Sequence, residues 1–133
     1  FLQYNDILLV SRGSGPGSFR SAVFTSRDDK VMTSSSVHVI SVKDVNVLPK
    51  YVSLYLNSDI GQKKILQIAT GGPSIQSILV RNLNEFEIPI PPIHSQKLIV
   101  ALHENINQQE TILKRKRELK KNIFNATFIN LTK

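Results

Sequence analysis

Side chains able to pair with phosphates or base edges collect in two glycine-rich stretches of this 133-residue chain. The first, Ser11-Arg12-Gly13-Ser14-Gly15-Pro16-Gly17-Ser18, runs on to Arg20, so that arginines flank a loop whose glycines let backbone N–H groups approach an anion closely. The second, Thr70-Gly71-Gly72-Pro73-Ser74, leads into Gln76. Arginine presents a planar fork to guanine edges and phosphates, and glutamine can bond adenine through two atoms. Arg27, in the charged turn Arg27-Asp28-Asp29-Lys30, and the pair Lys63-Lys64 add cations. By chemical type, the candidates for contact with nucleic acid are Arg12, Ser14, Arg20, Arg27, Lys63, Lys64, Thr70, Gly71, Gly72, Ser74 and Gln76. The first stretch is not a nucleotide-binding P-loop, because no Gly-Lys-Ser/Thr closes it and no helical pattern follows. Taken alone, it does no more than a surface hairpin loop would.

Catalytic patterns are sparse. The chain has no Cys, no Gly-x-Ser-x-Gly elbow and no His-Glu-x-x-His. His38, His94 and His103 lack metal-ligand spacing, so no metal or cofactor is expected. The absence of Cys suits a reducing cytoplasm, and no run approaches the roughly 20 apolar residues of a membrane span. The net charge is +7 and uneven: residues 1–93 carry nine Lys/Arg and seven Asp/Glu, residues 94–133 eight and three. A basic balance of this size favours a polyanion, nucleic acid before membrane. Two glycosylation sequons, at Asn125 and Asn130, fall within a helical pattern and are read as chance matches.

The positioning elements follow from local chemistry. Asp6 to Val10, Ser21 to Thr25, Val31 to Thr33 and Val37 to Val42 are apolar or β-branched runs and predict strands. Pro49 opens a helix to Asn57, since Leu48, Tyr51, Val52, Tyr55 and Leu56 fall on one face. Ser58-Asp59 caps a second helix, Ile60 to Ala69, which the Thr70–Ser74 turn ends. A short strand at Ile75–Leu79, a helical turn within Val80–Phe86 and a strand at Glu87–Ile90 follow.

Three prolines within Pro89–Pro92 impose extended backbone. From Ser95 to Leu131 there is neither Pro nor Gly, predicting one helix of roughly 35 residues, ~50 Å long. A domain of this size cannot cover such a helix alone, so part of it is expected to pack elsewhere. Its seam is Ile99, Leu102, Ile106 and Leu113, interrupted by Gln109 and Lys116, with an offset stripe of Ile112, Leu119 and Ile123. The pairing candidates are Ile99, Leu102, Ile106, Leu113, Leu119 and Ile123. Lys114-Arg115-Lys116-Arg117, with Lys120 and Lys121 beyond, is either a solvated face or a track for a phosphate backbone.

Five segments occur in a telling order: Asn5-Asp6-Ile7-Leu8-Leu9-Val10, Pro49-Lys50-Tyr51 with Tyr55-Leu56-Asn57-Ser58, Gly71-Gly72, Ile88-Pro89-Ile90-Pro91-Pro92 and Gln96-Lys97-Leu98-Ile99-Val100. Together they resemble the DNA-specificity subunit of type I restriction–modification systems, in the later part of one target recognition domain and the spacer helix after it. Asn5 stands where that family usually has Gly, and Ser95 where it usually has Glu. The family's domain normally has more strand-rich sequence ahead of the equivalent of Phe1, so an N-terminally incomplete domain is expected. The resemblance implies a recognition domain over residues 1–93 and a spacer or dimerisation helix over 94–133, in an α+β fold. It also implies binding to one half of a split duplex DNA target, no catalytic residues, and docking of methyltransferase and restriction subunits. Antiparallel helices would hold this domain apart from a second one, supplied by another copy or a fused half. Two other readings stay open on sequence: a protein scaffold dimerising through the helix, and the recognition domain of a fused DNA methyltransferase.

Overall fold

The computed structural model describes residues 1–28 and 30–133, so the Asp29 part of the expected charged turn lies outside the described residues. The fold is α+β, with small antiparallel sheets, short helices and one long C-terminal helix. It resolves into two compact units, Phe1–Lys97 and Leu98–Lys133.

In the first unit, β1 (Ile7–Val10) is the middle strand of a three-stranded antiparallel sheet. It pairs with β3 (Ser21–Val23), Ile7 opposite Val23, and with β4 (Val37–Ile40), Ile7 opposite Ile40. Strand alternation sends Ile7 and Leu9 to one face, and both are fully buried with Phe19, Leu56 and Ile65. The turn into β1 requires a left-handed backbone at Asn5, where φ is 72°. Asparagine is among the few side chains that tolerate this region, which accounts for Asn at a place where glycine would also serve. Buried Asp6 then holds the turn, its carboxylate accepting from the Gln3 N–H and the Ser41 hydroxyl, both at 2.8 Å.

Helix α1 (Pro49–Asn57) begins at its proline as expected and buries Tyr51, Val52, Ser53 and Leu56. Helix α2 (Asp59–Ile68) is capped by Ser58, whose hydroxyl accepts from Gly61 N–H at 3.1 Å. A Cβ on Gly61 would overlap the Tyr55 carbonyl oxygen, so the tight corner between the helices needs glycine there. A short helix α3 (Val80–Leu83) follows, and α4 runs from Ile93 to Leu131, starting two residues before the expected Ser95. The Pro92 carbonyl accepts from Ser95 and Gln96, so the helix starts directly after the prolines.

Two expected strands are absent. Val31–Thr33 has no ladder; the Val31 carbonyl takes a single bond, from Leu2 N–H. Glu87–Ile90 forms no ladder; Pro89, and Pro91 and Pro92 after it, have no N–H to donate. Its carbonyls go to side chains instead: Tyr51 Oη donates to Pro89 at 2.5 Å, and Lys64 Nζ lies 3.4 Å from the Glu87 oxygen. Conversely, Arg12–Gly13 and Thr70–Gly71, expected only as loop and turn, form short strands, β2 and β5.

The proline segment is secured by Gln96, which has no solvent exposure. Its Oε1 accepts from Leu48 N–H at 2.8 Å, and its Nε2 donates to the carbonyls of Asn46 (2.8 Å) and Pro91 (2.9 Å). Replacing Gln96 by Leu leaves one donor and two acceptors unpaired. The expected loss is about 2–4 kcal/mol of unfolding free energy, read as a lower denaturant midpoint at unchanged slope. Burial, with a smaller push from Tyr55, raises the Tyr51 phenol above its ordinary pKa of 10.0. The folded chain therefore holds that proton longer than the unfolded one, so stability is intact below the ordinary tyrosine range and falls as pH climbs through it. A pH series of unfolding midpoints should show this decline from about pH 10 upward, and Tyr51→Phe should shrink it.

Candidate nucleic-acid interface

The two glycine-rich stretches meet in a second antiparallel sheet of the first unit, ordered β2-β6-β5, with β6 at Gln76–Ser77. Arg12 pairs with Ser77 and Gly13 with Gln76 on one side of β6. Thr70 pairs with Ser77 and Gly71 with Gln76 on the other. Arg12, Gln76, Thr70 and Gly71 thus lie on three adjacent strands, although the outer two are far apart in sequence.

Glycine shapes this sheet at two points. Gly71 has φ 135°, and a Cβ there would lie 2.6 Å from the Ile75 carbonyl oxygen, so the β5–β6 hairpin closes only on glycine. A Cβ on Gly13 would collide with the Ser18 side chain, which folds under the first loop and donates to the Gly15 carbonyl at 2.7 Å. The exposed members are Arg12, Ser14, Thr70, Gly71, Gly72 and Ser74. Gln76 is half-buried, and its Oε1 is buried with no hydrogen-bond donor among the described residues. Such an acceptor carries a desolvation cost that a turn of the amide toward an outside donor would relieve.

Arg20 has a different setting. Its Nε donates to the Gly17 carbonyl and its Nη1 to the Asn57 carbonyl, both at 3.0 Å. Asn57 is the last residue of α1, so the guanidinium also meets the negative end of that helix. The Asn57 amide pairs with both backbone groups of Ser21, accepting from its N–H at 2.8 Å and donating to its carbonyl at 2.9 Å, which satisfies the outer edge of β3. Arg27 lies on neither loop; its guanidinium sits 4.0 Å over the Tyr4 ring. Lys63 and Lys64 are on α2, the helix that feeds β5; Lys63 is exposed, while the Lys64 ammonium is 5.5 Å from the Tyr55 ring centroid.

Sequence reasoning passed over the groups that fasten this sheet to the rest of the unit. Ile78 N–H donates to the Ser11 carbonyl at 2.8 Å, and His38 Nε2 lies 2.7 Å from the Ile78 carbonyl oxygen. An imidazole on β4 thereby anchors the end of β6. No spacing rule marks it, because its partner is a backbone carbonyl forty positions away. Among the described residues, no cluster of three or more His, Asp or Glu could hold a metal ion. No described helix is long and apolar enough to cross a membrane.

A family model described as "Type I restriction modification DNA specificity domain" matches residues 2–132. No curated protein matches the chain.

The geometry separates Arg20 from Arg12. Arg20→Ala removes one bond within the first loop, to Gly17, and one that holds it to α1, and should lower stability by about 1–2 kcal/mol, whereas Arg12→Ala should stay within about 0.5 kcal/mol. Urea unfolding of the two variants checks the contrast.

Proposed function

We propose, from the premise that this chain belongs to the type I restriction–modification DNA-specificity family, that the β2-β6-β5 sheet and its loops read one half of a split duplex target. A role in DNA recognition within a restriction–modification system follows from the family itself. The observation that carries the finer reading is that one small sheet joins the strand of Arg12, the strand of Gln76 and the Gly71–Ser74 hairpin. A short, glycine-shaped ribbon is suited to a major groove, with Arg12 on its outer strand and Gln76 on its middle strand, on opposite faces by strand alternation. The uncompensated Gln76 oxygen is suited to a donor such as an adenine amino group. Lys63, and Lys64 beside it, would supply phosphate contacts that position the module without specifying sequence.

In this reading residues 1–93 form the recognition domain, and residues 94–133 the helix that spaces it from a second one in another copy or a fused half. The chain performs no catalysis and needs no cofactor or metal. Methyl transfer and cleavage belong to methyltransferase and restriction subunits that dock on it in the cytoplasm. Arg20 acts by holding the first loop in shape, and Arg27 contributes from beside Tyr4.

Binding measured across a panel of duplex targets tests this directly. Arg12→Ala and Gln76→Ala should each change sequence preference, by about 1–3 kcal/mol at the affected base pair. Lys63→Ala should weaken all sequences alike and reduce the slope of log affinity against log salt by about 1. Equal affinity of the unaltered chain for cognate and random duplexes would overturn base reading.

A further inference from the structure

The two edges of the β3-β1-β4 sheet are finished differently. Along β3, the Asn57 amide pairs with the Ser21 backbone and α1 packs against the strand. Along β4, no strand or side chain does the same among the described residues. Register fixes which groups are left open. The Ser36 carbonyl accepts from Ser11 N–H, so the alternate residues His38 and Ile40, opposite Leu9 and Ile7, bond β1. Val37 and Val39 turn outward. The Ser34 carbonyl takes Val37 N–H at 3.3 Å, which leaves the Val37 carbonyl and both backbone groups of Val39 without a backbone partner among the described residues. Proteins guard such an edge with lysine, proline or a bulge. Val37-His38-Val39-Ile40 has no Lys, Asp, Glu or Pro, and its register against β1 runs without a bulge.

Hollows adjoin both faces of this edge. Strand alternation puts His38 and Ile40 on one face of β4 and Val39 on the other. Beside His38 and Ile40 is a cavity of about 310 Å³ walled by Val52, Leu56, Leu83 and Phe86. Roughly 150 Å³ holds a benzene ring, so this cavity takes an aromatic side chain. Two further hollows, of about 260 and 450 Å³, share Phe1 and Val39. Ala22, Leu8 and Val39 form one apolar row across the sheet, which a further strand would continue. We infer that the β4 edge receives an extended segment of another protein as a fourth strand, antiparallel like the rest, its apolar side chains entering the hollows on alternate faces. Charge sets the chemistry at one end. Lys43 borders the largest hollow with no carboxylate paired to it among the described residues, whereas Asp6 there is already bonded to Gln3 and Ser41. An antiparallel guest begins at that end of β4, so its first residue is acidic. DNA recognition plays no part in this contact.

The test titrates the full chain with a fluorescent peptide, aspartate first, then phenylalanine alternating with valine, then a glycine–serine tail. Hydrogen exchange is followed residue by residue in parallel. Saturating peptide should slow exchange of the Val39 amide about tenfold and leave that of His38, already in the ladder, unchanged. Val39→Pro removes only an outward N–H, which an edge strand tolerates, and should weaken binding about tenfold, while Val39→Thr should stay within about twofold. Lys43→Glu should weaken the aspartate-led peptide about threefold and favour a lysine-led one. Should Val39→Pro fail to fold, exchange in the unaltered chain decides. No binding at about 1 mM peptide, binding that leaves Val39 exchange unaltered, or full affinity in Val39→Pro would overturn the inference. Protection of Val39 without peptide would overturn it too: protection that grows with chain concentration assigns the edge to a second copy, and protection by a DNA duplex assigns it to nucleic acid.

Discussion

The side-chain amide of Gln96 satisfies three backbone groups at once, and the closure of the first unit depends on it. Leu48, at the N-cap of α1, lies outside the helix ladder, and its N–H donates to Gln96 Oε1 instead. The carbonyls of Asn46 and Pro91 belong to segments with no ladder partner. One buried glutamine, held rigid in the first turn of α4, pairs all three and welds helix start, loop and proline segment together. A charged residue there would bring an ion into a site without a counterion, and a shorter amide would not reach. Tyr51 adds a second bond to the same proline segment from the next turn of α1, so two buried polar side chains do the work that strand pairing cannot do for a proline-rich stretch.

The same logic governs the opposite end of α1. Asn57 pairs with the backbone of Ser21 as a strand would, Arg20 closes on the Asn57 carbonyl, and Ser58 turns the chain into α2. The glycine-rich first loop is thereby tied at one end to a helix terminus and at the other to β6. The second loop leaves α2 only two residues before it joins the same sheet. A sheet made of two-residue strands has little stability of its own. Here the sheet is tied to the helix corner and to β4, so Arg12 on β2 and Gln76 on β6 keep a fixed relation.

The long helix is built on a different principle. Its pattern carries too few apolar positions per turn for a core helix, and glutamine and lysine sit where a strong coiled coil would have leucine. Packing energy has been given up for definition. An apolar seam alone would tolerate several alignments, whereas Gln109 and Lys116 make most of them costly.

Much of the architecture was legible before any coordinates. Pro49 and the face from Leu48 to Leu56 announced α1, Ser58 announced the cap of α2, and the run without Pro or Gly announced α4, because these are signals carried by neighbours along the chain. The glycine stretches, with their arginines and glutamine, marked the candidate surface by residue type. Tertiary structure decided the rest. Val31–Thr33 and Glu87–Ile90 have the composition of strands, yet a strand needs a partner, and proline or distance denied them one. Arg12–Gly13 and Thr70–Gly71 read as turns, yet became strands because β6 arrived between them. Nor does the identity of an arginine disclose whether its guanidinium faces solvent, as at Arg12, is spent on carbonyls, as at Arg20, or lies over a ring, as at Arg27. Local sequence sets backbone preference over a few residues; which polar group meets which across forty or fifty positions is settled only when the core closes around them.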